Sequence, residues 1–158
     1  MRRQYVTFRV GEQLLGVEIL LVREINRALP ATKVQLADNH IVGLVNLRGQ
    51  IVTVFDLAER VGLAGEAHDS DPHDVVLRTN GELLALRHRH QRTDLASGTD
   101  LLGLRVDSIA EIVEADDESV EPVVANLTHL NHRFLSGVIT LERELLILLD
   151  VEALVSTH

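Results

Sequence analysis

Histidines carry the most obvious potential for chemistry in this chain, and they form two clusters. His88 and His90 alternate with arginines in the run RHRHQR, so a strand would place both imidazoles on one face, as at the start of a metal site. The flanking arginines would repel a cation, which favours an exposed insert instead. His129 and His132 have the spacing HxxH, but no cysteine and no third ligand accompany them. We therefore expect no metal site.

Catalytic motifs are absent from the sequence. It contains no GxxxxGKS/T or GxGxxG phosphate loop, no HExxH and no GxSxG, and its only lysine is Lys33. The carboxylates fall in turns, caps and the acidic stretch 111–121, where solvation explains them better than acid–base catalysis. Because there is no cysteine, a disulfide and a thiolate nucleophile are excluded. We expect a protein that is not an enzyme and needs no cofactor.

Arg48 is the charged residue whose position suggests recognition. It stands beside Gly49 between two apolar runs in residues 40–56, a pattern that predicts the tip of a long β-hairpin. A guanidinium held on a rigid hairpin suits recognition of a carboxylate or a backbone carbonyl of a protein partner. A solvated arginine in a turn is the alternative interpretation.

Short strands separated by turns must position these residues. Residues 14–25 continue an extended pattern but become ambiguous near Ile19, Val22 and Ile25, whose spacing also fits one helical turn. The other predicted elements are a strand at 5–10, a short helix from Asp56 to Gly62, a hairpin at Asn80-Gly81, β-like segments at 101–114, 134–141 and 145–149, and a last short helix from Asp150. This pattern is typical of an all-β protein with short helices.

An internal repeat organises the strands. Residues 43–57 match residues 137–151 without a gap, and residues 14–25 match residues 101–112. Coincident glycines and aspartates accompany the apolar matches. The repeat predicts two copies of a small β-barrel. A further copy of the pattern LLxLR at 83–87 and 101–105 indicates an insert of about eighteen residues, at approximately 87–101.

Composition limits the class of partner. The chain has 158 residues, a mass of 17.5 kDa and a net charge of −9, so it is expected to form one domain without affinity for nucleic acid or anionic membranes. Only 3% of the residues are aromatic, which argues against stacking on bases. No apolar run resembles a signal peptide or a membrane span, which predicts a soluble cytoplasmic protein.

Several of these segments resemble one known family, the CheW chemotaxis coupling proteins. The matching residues are Phe8-Arg9-Val10-Gly11, Gly16-Val17, Val22-Arg23-Glu24-Ile25, Gly43, Asn46-Leu47-Arg48-Gly49, Asp56-Leu57 and Gly103-Leu104-Arg105-Val106-Asp107. The resemblance implies one CheW-like domain over residues 1–158, built from two pseudo-symmetric, intertwined five-stranded SH3-like β-barrels. We expect the first barrel at approximately 14–75, and the second at approximately 76–150 together with the N-terminal strand.

The resemblance also implies a non-catalytic adaptor that links the cytoplasmic tips of chemoreceptors to the regulatory domain of the histidine kinase CheA. Such an adaptor is cytoplasmic, associates with membrane receptor arrays without inserting into the membrane, and needs no cofactor. The receptor-binding positions it implies are Val22, Glu24, Gly43, Arg48 and Gly49. Val22 and Ile25 would offer an apolar strip to a receptor helix, and Gly43 would permit close backbone approach.

Two alternatives stay open at this point. The chain could serve as a CheW-like adaptor in a twitching or other non-flagellar signalling array. It could also be a metal-dependent ligand binder or an enzyme that uses the region of His88 and His90, an interpretation that the absence of catalytic motifs disfavours. The resemblance does not place the kinase contact on particular residues.

Overall fold

The structure of the chain, a computed structural model, describes residues 1–63, 71–78, 101–123, 127 and 129–155. These residues form short β-strands and two short helices, which confirms the all-β prediction. The strands are β1 (Arg2–Val10), β2 (Gln13–Glu18), β3 (Val22–Arg27), β4 (Ile41–Leu47), β5 (Gln50–Asp56), β6 (His73–Leu77), β7 (Leu101–Val106), β8 (Ser108–Ile109), β9 (Val113–Asp116), β10 (Val120–Glu121), β11 (Leu135–Thr140) and β12 (Leu145–Leu149). The helices are α1 (Leu57–Val61) and α2 (Val151–Val155).

The strands form two sheets, in agreement with two SH3-like barrels. The first sheet has the order β3-β6-β7-β5-β4. The second has the order β10-β11-β12-β2-β1-β8, and β9 also pairs with β1. All strands of the first sheet lie between Val22 and Val106, so the chain starts in the second sheet, builds the first and then returns. This path is the intertwining that the family resemblance implies.

Two strands pair with the other half of the internal repeat. β2 belongs to the second sheet, where it pairs in parallel with β12, and β7 belongs to the first, where it pairs in parallel with β5. The repeat aligns β2 with β7 but carries no information on which sheet each copy joins. Among the described residues the second sheet contains seven strands, since the strand beside β1 is interrupted between β8 and β9 and β10 adds a short pairing to β11.

The duplication is visible in the register of these parallel pairs. Val52 pairs with Leu101 in the first sheet, and the residues that the repeat makes equivalent, Leu146 and Leu14, pair in the second. Gly103 and Gly16 also hold equivalent positions. A Cβ atom on Gly103 would lie 3.3 Å from Val52 Cγ1, and one on Gly16 would lie 3.0 Å from Leu146 Cδ1.

Three apolar clusters hold the fold together. The largest joins residues of both sheets and of both helices, among them Phe8, Phe55, Leu104, Ile147 and Leu154, all 6% exposed or less. Each sheet also encloses a smaller cluster of its own. These are Val45, Val52, Val54, Val76 and Leu101 in the first sheet, and Tyr5, Leu14, Ala115, Ile139, Leu146 and Leu148 in the second. Because the largest core is shared, the sheets stabilise one another.

Local signals place the turns and helices as predicted. The ambiguous segment 14–25 resolves into β2, a 3-10 turn at Ile19–Leu21 and β3. Asp56 caps α1 by accepting a hydrogen bond from the Glu59 backbone N–H at 3.4 Å, and Gly62 ends the helix with φ +92°. The hairpin predicted at Asn80-Gly81, His88, His90 and most of the expected insert at 87–101 lie outside the described residues.

No helix within the described residues is long and apolar enough to cross a membrane.

Candidate functional site

The tip of the β4–β5 hairpin is a tight two-residue turn, which confirms the hairpin predicted at residues 40–56. Leu47 pairs with Gln50, and the turn residues Arg48 and Gly49 have φ values of +51° and +84°, as a type I′ turn requires. The side chain of Asn46 accepts a hydrogen bond from the Gly49 backbone N–H at 2.9 Å. The tip therefore holds Arg48 in a defined place.

Arg48 reaches across to β3 and pairs with Glu24. Its Nη2 donates to both carboxylate oxygens at 2.5 Å, and Asn26 Nδ2 donates to Glu24 Oε1 at 2.7 Å. The bond from Asn26, followed by the one from Arg48, holds the pKa of the Glu24 carboxyl below its ordinary value. The Arg48 side chain is 68% exposed and that of Glu24 is 23% exposed. The ion pair is therefore accessible from solvent, and the hydrogen bond from Asn26 orders it from the side of β3.

This ion pair joins the two outer strands of the first sheet. β3 and β4 are not hydrogen-bonded neighbours in the sheet order, yet Arg23 Nη2 also donates to Gln50 Oε1 at 3.4 Å beside the tip. Farther along, Thr32 exchanges two backbone hydrogen bonds of 2.8 and 2.9 Å with Leu44. The edges of the sheet are therefore brought together, with the Arg48–Glu24 pair at one end of the junction.

Gly43 lies at this junction, where a second chain segment crosses it. Its φ is +148°, and a Cβ atom there would lie 2.3 Å from the carbonyl oxygen of Thr32. Any side chain would therefore overlap a backbone atom. The close backbone approach expected for Gly43 is confirmed, and its contribution to the site is to let the loop after β3 lie against β4.

The apolar strip expected from Val22 and Ile25 is only partly present. A register shift at Arg23 places both side chains on the face of β3 that packs toward the shared core. Val22 is buried within that core at 8% exposure, whereas Ile25 is 37% exposed. Ile25 stands at one end of a row across the sheet that continues through the buried Val75, Leu104 and Phe55 to the half-buried Ile41. Val22 therefore supports the surface from inside.

Sequence reasoning missed two exposed apolar residues near this row. Ile51 is 54% exposed, follows the tip directly, and lies on the same face of β5 as Phe55 because side chains alternate along a strand. Leu20, in the 3-10 turn before β3, is also 54% exposed. Apolar residues occupy both faces of β5, so the sequence carried no signal that Ile51 is exposed.

The candidate site thus consists of the exposed Arg48–Glu24 pair and of two exposed apolar side chains, Ile25 and Ile51, on the strand face that continues toward the shared core. We call Glu24, Ile25, Arg48, Gly49 and Ile51 the tip surface. Gly43 lies behind this surface and Val22 beneath it. The two carboxylate oxygens of Glu24 are occupied by Asn26 and Arg48, so the arrangement offers charge and hydrogen bonding for recognition and no activated nucleophile.

A metal centre finds no support in the part of the chain that the structure covers. No group of three or more histidines, aspartates and glutamates there is arranged to hold a metal ion. His132 Nε2 lies 2.6 Å from the carbonyl oxygen of Leu127, a local contact that accounts for this ring without a ligand.

Comparison with known proteins places the whole chain within one group. The profile of the CheW-like domain matches residues 4–158. A protein of Rhizobium etli named as a probable chemotaxis protein CheW is 29% identical over 98% of this chain and 88% of its own length. The chemotaxis protein CheW of Klebsiella aerogenes is 26% identical over 99% of this chain and 83% of its own length. Among solved structures, the scaffolding protein TtCheW of Thermoanaerobacter tengcongensis superimposes with a TM-score of 0.78 at 26% identity, covering 98% of this chain and 88% of that one.

Proposed function

The chain belongs to the family of CheW-like domains, and from this we propose that it is a non-catalytic adaptor of chemotaxis that couples the cytoplasmic tips of chemoreceptors to the histidine kinase CheA. Its relatives are named chemotaxis proteins, and the matching structure is that of a scaffolding protein. In this role the protein acts in the cytoplasm at membrane receptor arrays, and the regulatory domain of CheA is its kinase partner.

We propose the tip surface as the receptor contact, and the observation that carries this assignment is the Arg48–Glu24 pair. Arg48 is held in place by the I′ turn and by Glu24, yet it exposes 68% of its side chain. An ordered guanidinium loses little conformational entropy when a partner binds it. Such a group fixes register by donating hydrogen bonds to acceptor groups of the receptor.

Apolar side chains supply the second part of the proposed contact. Ile25 and Ile51 are exposed extensions of the face that holds the shared core between the sheets. A receptor helix lying along this face would bury both side chains and leave Arg48 at the polar rim, the usual arrangement of a protein interface. Val22 and Gly43 contribute indirectly, because both are buried and set the position of β3 and β4.

A titration of the full chain against a receptor cytoplasmic fragment and a CheA regulatory domain from the same genome tests the proposal. We compare the native chain with Arg48→Asn, because asparagine is favoured in a I′ turn and the variant should fold with unchanged or higher stability. Arg143→Asn is the matched control, since Arg143 stands at the tip of the β11–β12 hairpin, which is equivalent to the β4–β5 hairpin in the repeat.

We expect saturable binding to both partners. Arg48→Asn should weaken the receptor contact by about tenfold or more while the kinase contact survives, and Arg143→Asn should leave the receptor contact unchanged. Unchanged receptor binding by Arg48→Asn would show that the tip surface is not the receptor contact. If the folded native chain bound neither partner, the coupling function itself would be wrong.

A further inference from the structure

A polar pocket of about 280 Å³ lies outside the tip surface. It is formed where the start of β4, helix α1 and the 3-10 turn at His132–Phe134 meet, and none of the tip-surface residues lines it. Its positively charged side chains are Arg60 and Arg133, on a chain whose net charge is −9. Two neighbouring arginines on an acidic protein call for a specific explanation.

Both guanidinium groups lie over the same aromatic ring. The Cζ atom of Arg60 is 4.5 Å from the centroid of the Phe134 ring, and that of Arg133 is 5.6 Å from it. Phe134 is 3% exposed, so its ring is a fixed support. Arg60 is further held because its Nη2 donates to the carbonyl oxygen of Leu154 at 3.2 Å. The fold therefore keeps two like charges close to each other at the pocket.

This arrangement is electrostatically unfavourable when nothing lies between the two groups. Burial, followed by the charge of Arg133, lowers the pKa of Arg60 below its ordinary value. Arg133 itself makes no ion pair with any residue that the structure describes, and its side chain is exposed. An anion placed between the guanidinium groups would relieve their repulsion and accept hydrogen bonds from both.

His40 also lines this pocket, beside the two arginines. Its Nε2 is buried and has no hydrogen-bond partner among the described residues. The ring is fixed, because it packs edge-on against Phe55 with centroids 5.3 Å apart. A buried polar atom without a partner is uncommon in native proteins and often marks a missing ligand or water.

Acidic groups near the pocket limit the charge it can bind. Glu59 lines the pocket. Asp38 lies close enough for its charge to act on His40 and Arg60, where it raises both pKa values, although burial lowers them by more. Asn39 and Asn131 supply neutral polar groups to the lining. Two arginines against two carboxylates suit one small oxyanion better than a polyanion such as a nucleic acid.

We propose that this pocket binds a single oxyanion, a carboxylate or a phosphate group, between Arg60 and Arg133 over the ring of Phe134. The anion is either a free small molecule or an acidic side chain of a partner protein, since both present the same chemistry to two guanidinium groups. This inference does not depend on the proposed receptor contact, because the two surfaces share no residue.

Titration of the full chain at constant ionic strength tests the proposal, with sodium chloride replaced stepwise by sodium phosphate, by sodium acetate or by a short oligoglutamate peptide. NMR signals of the arginine Nε–Hε groups report directly on the guanidinium groups. The test variant is Arg133→Gln, because Arg133 is exposed and its loss should not unfold the chain. Arg143→Gln removes the same charge from an exposed position outside the pocket.

We expect saturable binding of at least one probe, weakened tenfold or more by Arg133→Gln and unchanged by Arg143→Gln. Tighter binding of phosphate or acetate identifies a free anion as the source, and tighter binding of the peptide identifies a partner's acidic side chain. The proposal is overturned if no probe saturates, or if the two variants weaken binding equally while melting at the temperature of the native chain.

Discussion

Arg48 occupies a backbone conformation that costs a residue with a Cβ atom about 1–2 kcal/mol. Its ion pair with Glu24 is largely exposed on the arginine side and returns at most about 1 kcal/mol. Folding stability alone therefore favours asparagine or glycine at this position. An arginine at the tip is best explained by recognition, which is the role proposed for it here.

Gly43 and Gly49 provide a contrast between two glycines with positive φ in the same hairpin. We expect Gly49→Ala to cost about 1 kcal/mol, because the conformation is strained but no atom lies within 4 Å of the added Cβ. Gly43→Ala should cost several times as much, since its Cβ would overlap the backbone of Thr32. Urea denaturation of both variants measures the difference, and equal losses of unfolding free energy would contradict the close approach.

The pKa of Glu24 is lowered by the hydrogen bond from Asn26 and by both the hydrogen bond and the charge of Arg48. Because its pKa is lowered in the folded chain, these contacts stabilise the fold above the ordinary glutamate pKa, and that contribution is lost as the pH falls through the folded value. We expect Asn26→Ala and Arg48→Asn each to raise the pKa of Glu24 toward its ordinary value. NMR titration of the Glu24 carboxyl carbon measures both shifts, and a variant that leaves the pKa unchanged would show that its contact does not act on Glu24 in solution.

At the scale of elements, the sequence predicted the features that depend on neighbouring residues. It did not predict the features that depend on contacts between distant parts of the chain. The hairpin turn at Arg48-Gly49 and the capped helix at Asp56 depend on neighbouring residues, so their signals lie within a few positions. Which sheet β2 and β7 join depends on strands far along the chain. The burial of Val22 depends on a register shift at Arg23, and no residue type there predicts such a shift.

The candidate site divides in the same way. The family resemblance implied roles for Glu24 and Arg48, but their direct pairing follows only when the edges β3 and β4 of the first sheet come together. Asn26 was not predicted, because its role exists only through its contact with Glu24. The pocket at Arg60 and Arg133 was also missed, since its two arginines are brought together by folding around Phe134.

The two helices should respond alike to the loss of their caps. Asp56 accepts from the Glu59 N–H at 3.4 Å, and Asp150 accepts from the Ala153 N–H at 3.1 Å in the equivalent helix. We expect Asp56→Ala and Asp150→Ala each to cost about 0.5–2 kcal/mol, with the larger loss at Asp150 because its bond is shorter. Asp116 precedes a 3-10 turn without capping it, so Asp116→Ala is the control. A comparable loss in that control would argue against capping as the cause.

At the scale of the whole molecule, the largest core is shared by both sheets, so neither sheet has a complete core of its own. The smaller clusters inside the sheets are secondary to it. The adaptor is therefore one cooperative body, and a partner bound to one sheet acts on a rigid platform rather than on a hinged pair of domains.

This shared core predicts a single unfolding transition. Tyr5 is the only tyrosine, there is no tryptophan, and Tyr5 lies in the cluster of the second sheet. Its fluorescence therefore reports on that sheet, while circular dichroism reports on both. We expect the two urea curves to coincide in the native chain and in Val54→Ala, a core deletion in the first sheet that costs about 1–3 kcal/mol. A Val54→Ala circular dichroism transition preceding the Tyr5 transition would show that the sheets unfold separately.

The return of the chain to the second sheet also has a consequence for protein synthesis. Residues Leu14–Gly16 of β2 pair with Leu146–Leu148 of β12, so β2 leaves the ribosome long before its partner strand is translated. All five strands of the first sheet emerge during that interval and can pair among themselves. Until β12 arrives, the nascent chain exposes one edge of β2 and the apolar face of β1 and β2. During this interval the nascent chain is most prone to aggregation, and a chaperone would protect it most.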